Sequence, residues 1–149
     1  MTKVYVCITG DLFHYGHIEF LKKAREFGDQ LVVGVCSDSD VQSYKRRPIM
    51  TLEERILVIE SCKHVDQVVK NAPAITSNLF IQKHQIDIVV ATKSYSPEVL
   101  NRYFNDPINL NILKLVDYTD GISTSQIIKR CYERYVELHG DLGELVTKT

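Results

Sequence analysis

The stretch that decides the fold is VYVCITGDLFHYGH, residues 4–17. Its apolar, β-branched start predicts a strand over residues 4–8, and a polar loop follows before the chain takes up helical spacing. That helical segment runs to Gly28, a residue suited to a left-handed helix cap. A strand, a loop and a helix in this order indicate a βα unit.

The same unit recurs along the chain. Further strands are predicted at residues 31–36, 65–69, 86–91 and 112–116, and the first of these is apolar throughout, as expected for a central strand. Helices are predicted from a capping box at 51–54, from Thr76 to His84, and from a cap at 123–126 to His139. Residues 92–109 carry Pro97 and Pro107, and we expect a less regular segment there.

Five strands alternating with at least four helices predict an α/β fold: a doubly wound, Rossmann-like parallel sheet with helices on both faces. We expect a single domain over residues 1–140 and a frayed tail over 141–149. Sheets of this kind bind ligands beyond the carboxyl ends of their strands. Functional residues are therefore expected in the loops that follow the strands.

Composition narrows the classes of partner. The 149 residues are 44% hydrophobic and 25% charged, with a formal net charge of -1. A net charge so close to zero gives the chain no overall electrostatic attraction to nucleic acid or to an anionic membrane. The apolar runs are far shorter than the roughly 20 residues that span a bilayer. Without a leader-like start, and with four scattered cysteines that indicate reduced thiols, we expect a cytoplasmic protein.

The loop after the first strand carries the clearest chemistry. His14 and His17 are three residues apart at a predicted helix start, and Gly16 between them permits close backbone approach. Imidazole N–H groups, free backbone N–H groups and the helix dipole together suit a phosphate. Two alternatives stay open at this point: Asp11 and the two histidines could hold a metal, although no fourth ligand is evident, or the loop could be an ordinary polar turn.

Two motifs identify a family. HYGH at residues 14–17 resembles the H-x-G-H signature of the nucleotidyltransferase superfamily, and DGISTS at 120–125 is similar to the G-I-S-T-[ST] motif of its cytidylyltransferase branch. The resemblance extends over residues 4–135, and the segments between the two motifs are similar to those of the choline-phosphate, ethanolamine-phosphate and glycerol-3-phosphate enzymes. It implies transfer of CMP from CTP to a small phosphorylated alcohol, with Mg²⁺ bound through the triphosphate rather than in a protein-only site. It also implies a homodimer.

The resemblance further implies residue roles. His14 and His17 would stabilise the transition state of phosphoryl transfer, with Lys45 from a loop and Arg55 from a helix as catalytic cations. Asp11 and Asp38 would lie near the acceptor. The nucleotide-binding residues would be Thr9, Gly10, Gly16, Arg46, Gly121, Ile122, Ser123, Thr124 and Ser125.

Some positions depart from the family pattern. ATK at 91–93 replaces the usual His-Gly-Asp, and Tyr118 stands where many members have an arginine. Tyr95, Tyr103 and Phe104 could surround a quaternary ammonium, although loop aromatics more often serve as packing cover. The alternatives are an adenylyltransferase of the same superfamily, a nucleotide-binding module without catalysis, and a flavodoxin-like signalling domain with incidental histidines.

Overall fold

The computed structural model describes residues 1–43 and 45–140, and within them five strands form one parallel sheet. The strand order is β3-β2-β1-β4-β5, so the chain starts in the middle and winds outward in both directions. This is the predicted doubly wound fold. The strands are β1 (Lys3–Ile8), β2 (Gln30–Cys36), β3 (Gln67–Ala72), β4 (Ile88–Thr92) and β5 (Leu113–Val116).

Helices cover both faces of the sheet. On one face, Leu21 and Ala24 of α1 and Ile56 and Ile59 of α3 are buried against β1 and β2. On the other, α4 and α5 pack on the sheet through a second cluster that includes Phe80. The helices of the described residues are α1 (Tyr15–Arg25), α2 (Asp38–Gln42), α3 (Leu52–Glu60), α4 (Asn78–His84), α5 (Pro97–Asn109) and α6 (Thr124–His139).

Two predicted helix starts are confirmed by their caps. Thr51 and Glu54 form the capping box that opens α3, and Ser123 caps α6 by accepting the backbone N–H of Gln126. Such caps satisfy N–H groups that the first turn of a helix leaves without partners. The helix predicted from Thr76 begins at Asn78 with Ser77 as its cap.

Gly28 does not act as the left-handed cap we expected. Helix α1 ends at Arg25, its C-cap Glu26 has ordinary right-handed geometry, and Gly28 has no positive φ. A Cβ on Gly28 would lie 2.7 Å from the carbonyl oxygen of Thr2 and 2.7 Å from a methyl of Val4. Glycine is therefore needed there because β1 passes close by.

The segment that we expected to be irregular is the helix α5, so that prediction was wrong. Pro97 occupies its first turn behind the cap Ser96, where a missing N–H costs nothing. The helix then kinks at Phe104, with φ -126° and ψ 23°, and this kink accommodates Pro107. The predicted frayed tail lies outside the described residues. No helix in the described part of the chain combines the length and apolarity needed to cross a bilayer.

Candidate active site

A cavity of about 880 Å³ opens at the carboxyl edge of the sheet. Its walls come from the loops that follow β1, β2, β4 and β5, together with the start of α6. Parallel strands end together at this edge, which explains why segments distant in sequence meet there. The volume is that of an ordinary small-molecule site.

His14 and His17 shape the entrance to α1. His14 is the N-cap of the helix, and its Nδ1 accepts the backbone N–H of Gly16 at 3.1 Å. The Nδ1 of His17 accepts the backbone N–H of His14 at 3.1 Å. The two imidazoles thus form a reciprocal capping box, in which they take the places that Ser and Glu usually occupy. The three-residue spacing of the histidines, which suggested a phosphate site, therefore also allows them to cap the start of the helix.

These bonds assign the tautomers of both rings. Because each Nδ1 accepts a backbone hydrogen, the proton of each neutral ring lies on Nε2. Burial, followed by the nearby charge of His14, lowers the pKa of His17 to about 4. Burial also lowers the pKa of His14. Both rings are therefore neutral at pH 7 and offer an Nε2–H donor.

Helix α6 meets α1 at this point. The hydroxyl of Thr124 donates to the carbonyl oxygen of Asp11 at 2.9 Å, and its Oγ1 lies 3.5 Å from Nε2 of His14. The first N–H groups of a helix have no partner within the helix and carry the positive end of its dipole. Two helix starts at one cavity form a strong site for an anion with several phosphates.

Lys45 and Arg46 line the same cavity from the segment that follows α2. The guanidinium of Arg46 donates to Oγ of Ser125 at 3.2 Å, which ties this segment to the start of α6. Burial lowers the pKa of Lys45, although the nearby Asp11 opposes that shift. The structure therefore brings these two cations to the histidines, as the resemblance implied.

Arg55 does not line the cavity. Its side chain is fully buried, and its guanidinium donates to the carbonyl oxygens of Thr9 at 2.6 Å and Cys36 at 2.9 Å, and to Oδ1 of Asp38 at 2.6 Å. Its Nε donates to the carbonyl oxygen of Met50. All three nitrogens of the guanidinium thus help to join the ends of β1 and β2 to α3. This differs from the catalytic contact we expected, and the geometry favours a positioning role.

The two predicted acceptor-binding acids also have structural partners. Asp11 is buried, and its carboxylate accepts the backbone N–H groups of Ile49 and Met50, each at 2.9 Å. Asp38 pairs with Arg55 and does not line the cavity, whereas Asp11 does. The Asp11 carboxylate holds the segment around Pro48 and the Asp38 carboxylate holds the guanidinium of Arg55, so Asp38 differs from the expectation that it faces the acceptor, whereas the acceptor role of Asp11 stays a prediction.

The predicted glycines have different reasons for being glycine. A Cβ on Gly16 would lie 2.8 Å from the ring of His14, and one on Gly10 would lie 2.6 Å from Ile59. Gly10 also has a φ of 70°. The space beside Gly16 is therefore filled by the imidazole itself rather than kept for a ligand. Gly121, with a φ of 89°, turns the chain into α6 and does not line the cavity.

Most of the other predicted residues face the cavity. Its lining includes Thr9, Gly10, Asp11, His14, Gly16, His17, Lys45, Arg46, Ile122, Ser123, Thr124 and Ser125.

Sequence reasoning missed a charged wall contributed by α5. Glu98 and Arg102 both line the cavity and lie four residues apart, so they share one side of the helix. Within the described residues Glu98 makes no ion pair or hydrogen bond, whereas Asp11 is bonded to backbone and Asp117 pairs with Lys93 at 3.0 Å. The signal would have been the i, i+4 spacing, but it is invisible until the segment is known to be helical.

Tyr95, Tyr103 and Phe104 all line the cavity, but Phe104 and Tyr103 also belong to the packing beneath α5. Phe104 is buried in the core cluster beneath α5, and the guanidinium of Arg102 lies 5.4 Å from the ring centre of Tyr103. Tyr95 lies 6.2 Å from Phe104, centre to centre. Packing cover is therefore the better interpretation of these rings. Tyr118 lines the cavity and donates its hydroxyl to the carbonyl oxygen of Ile122.

The residues that the structure describes contain no group of three or more His, Cys, Asp and Glu side chains arranged to hold a metal. Asp11, His14 and His17 were the candidate metal ligands. The Asp11 carboxylate and the Nδ1 atoms of both histidines instead accept hydrogen bonds from backbone N–H groups.

Comparison with known proteins assigns the family. A family model described as cytidylyltransferase-like matches residues 9–130. The ethanolamine-phosphate cytidylyltransferase of Dictyostelium discoideum is 39% identical over 132 residues, and the choline-phosphate cytidylyltransferase A of Mus musculus is 34% identical over 136. These alignments cover 85% and 89% of this chain but 37% of each relative. The chain therefore spans little more than a third of their length.

A solved structure has the same architecture. The lipopolysaccharide core biosynthesis protein from Thermoplasma volcanium GSS1 superposes with a TM-score of 0.63 at 26% identity, covering 82% of this chain and 99% of that one. In that protein, a domain of this architecture makes up nearly the whole chain.

Proposed function

We propose that this chain, which belongs to the cytidylyltransferase-like family, transfers CMP from CTP to a small phosphorylated alcohol, giving a CDP-alcohol and pyrophosphate. The observation that carries the proposal is the meeting of two helix starts, two neutral imidazole donors and two cations at one cavity. Each group suits a triphosphate, and together they surround the place where charge develops.

The reaction needs little proton transfer from the protein. An oxygen of the acceptor phosphate attacks the α-phosphorus of CTP, the new P–O bond forms, and the bond to the β-phosphate breaks to release pyrophosphate. The acceptor is already an anion, so neither histidine has to act as a base. Positioning and electrostatic stabilisation are the main tasks of such a site.

The Nε2–H groups of the two histidines are suited to donate hydrogen bonds to the bridging and equatorial oxygens of the reacting α-phosphate. Their Nε2–H groups are held by the capping box, so no rearrangement is needed as the transition state forms. Lys45 and Arg46 would neutralise the leaving pyrophosphate, while Ser123, Thr124 and Ser125 would donate hydroxyl and backbone hydrogens to its oxygens. Mg²⁺ would arrive with the nucleotide, held by the triphosphate and water, and would supply further charge neutralisation.

We further propose an amino alcohol as the acceptor, with ethanolamine phosphate the first choice. Glu98 is the acidic side chain in the cavity wall without a partner among the described residues, and its carboxylate would accept hydrogens from a primary ammonium. Arg102, four residues away on the same helix, would hold the acceptor phosphate. Because Phe104 is buried in the core cluster and Tyr103 lies against Arg102, the aromatic rings give less support to a quaternary ammonium.

The test measures pyrophosphate release from CTP and Mg²⁺ with ethanolamine phosphate, choline phosphate and glycerol 3-phosphate, with ATP as the competing nucleotide. We expect turnover with CTP that falls at least 100-fold in His14→Asn. Preference for ATP would indicate the adenylyl alternative, and CTP binding without pyrophosphate release would indicate a module without catalysis. Either result would contradict the proposal.

The acceptor is tested with Glu98→Gln, which keeps the size of the side chain and removes its charge. We expect KM for ethanolamine phosphate to rise about 10-fold, while KM for glycerol 3-phosphate stays within about twofold, because a hydrogen bond between two charged groups is worth about 1.5 kcal/mol. An equal rise in KM for both acceptors would show that Glu98 does not recognise the amine.

A further inference from the structure

Two cysteines meet on the floor of the cavity. Cys7 lies in β1 and Cys36 is the last residue of β2, and their sulfur atoms are 3.0 Å apart. Cys7 pairs in register with Gly34, and Cys36 lies two residues further along β2, so both side chains project from the same face of the sheet. Both residues line the cavity, where Cys36 is buried and Cys7 is partly exposed, so a small solute would reach the pair only from the cavity side.

The two thiols are not equivalent. The hydrogen bond from Cys7 lowers the pKa of Cys36, helped by the nearby Lys45 and Arg55 and opposed by burial and Asp40. The bond to Cys36 and burial raise the pKa of Cys7 well above its usual range. The pKa of Cys36 is thus shifted down and that of Cys7 up, which is the order that suits an attacking Cys36 and a resolving Cys7.

The geometry points to a redox modification site: we propose that a hydroperoxide oxidises Cys7 and Cys36 to a disulfide, and that this disulfide weakens nucleotide binding. The sulfur atoms need to approach by about 1 Å to reach a disulfide bond of about 2.05 Å. The other two cysteines have different surroundings, because Cys62 packs against the core and Cys131 is exposed on α6.

The chemistry balances with hydrogen peroxide as the oxidant. The Cys36 thiolate attacks one peroxide oxygen, the O–O bond breaks, and hydroxide leaves as Cys36 becomes a sulfenic acid. The sulfur of Cys7 then attacks the sulfur of Cys36, the S–S bond forms, and the S–O bond breaks. The proton of Cys7 and the hydroxyl of the sulfenic acid leave as water, so two thiols and one peroxide give one disulfide and two waters.

The disulfide would act on the site through the backbone. The carbonyl oxygen of Cys36 accepts a hydrogen bond from Arg55, which also binds the carbonyl oxygen of Thr9 in the loop before the histidines. Directly after Cys36 comes Ser37, the N-cap of the helix α2 that precedes Lys45. Pulling the end of β2 towards β1 therefore disturbs both the histidine loop and the segment that carries the cations.

The experiment uses a Cys62→Ala/Cys131→Ala protein, so that only the pair can react. We expect hydrogen peroxide to remove both titratable thiols and to lower the intact mass by about 2 Da, the two hydrogens lost on forming a disulfide. The Kd for CTP should rise at least 10-fold, and dithiothreitol should reverse both changes. Adding Cys7→Ser to this background is the matched control, in which peroxide should add oxygen to Cys36 instead.

Three results would overturn the inference: thiols that survive peroxide, a product heavier by whole oxygen atoms in place of the disulfide, or a disulfide that leaves the Kd unchanged. Thiol titration and mass require no nucleotide. If the reduced protein does not bind CTP at all, the proposed function fails separately, and absence of the disulfide would still contradict the redox site.

Discussion

The imidazole of His17 accepts the backbone N–H of His14 at Nδ1, 3.1 Å away, while the ring of His14 caps the following turn through Gly16. This pair joins folding and chemistry, because the bonds that start α1 also fix the direction of both Nε2–H donors. The ring centres are 4.0 Å apart. Two donors at that separation can contact neighbouring oxygens of one phosphate chain.

The two roles of His14 are separable by substitution. Asparagine is a good helix cap but does not reproduce the Nε2–H donor, so His14→Asn should keep the melting temperature within a few degrees of the original. His14→Ala should lose about 1 kcal/mol of stability as well. Both should lower kcat/KM for CTP at least 100-fold. Equal kcat/KM in the asparagine variant and the parent protein would show that the ring donor is not used.

His17 predicts a pH dependence of stability. Its pKa of about 4 in the folded protein is below the value of about 6.5 expected when the chain is unfolded. As pH falls from 6.5 towards 4, the unfolded chain binds a proton that the folded chain does not. The free energy of unfolding therefore falls, by about 3 kcal/mol in total once the pH is below 4. Above pH 6.5 there is no such loss.

Urea unfolding at pH 7.5 and pH 5.0 without nucleotide measures this effect. The stability difference between the two pH values should shrink in His17→Gln, which has no titrating ring. His139→Gln, at the exposed end of α6, is the matched control and should leave the difference unchanged. A His17→Gln protein with the same acid sensitivity as the parent would contradict the assignment.

Arg55 should be needed for stability more than for nucleotide contact. Arg55→Met leaves Asp38 and three carbonyl oxygens without their donor, and we expect a loss of about 3–5 kcal/mol in the free energy of unfolding. Arg55→Lys should lose less, because one ammonium can replace part of the set but cannot span it. Calorimetric melting checks this order. A stable Arg55→Met protein that fails only in turnover would restore the catalytic role.

Arg46 and Arg47 are adjacent and exposed, but only Arg46 lines the cavity. Arg46→Gln should weaken CTP binding about 10-fold or more, because it removes a charged donor to phosphate, while leaving the melting temperature unchanged. Arg47→Gln is the matched control, with the same change of net charge. Similar losses in the two variants would indicate a general field effect instead of a contact.

The sequence by itself determined the βα order, the doubly wound sheet and a set of site residues of which most line the cavity. Strand runs such as residues 31–36 and caps such as Thr51 and Ser123 are local signals, because hydrophobic period and capping depend on neighbours within a few residues. The motifs at 14–17 and 120–125 identified the family because each is a short run of residues that can be compared with a known signature directly. That level of inference needed no knowledge of distant contacts.

Only the tertiary structure decided which charged groups face the cavity. Arg55 and Asp38 are seventeen residues apart and neutralise each other beneath the floor, which no local pattern indicates. Glu98 and Arg102 became part of the wall because α5 forms despite two prolines, one at its first turn and one after a kink. Cys7 and Cys36 meet because β1 pairs with β2, and strand pairing is a long-range contact that is decided by the packing of the whole sheet.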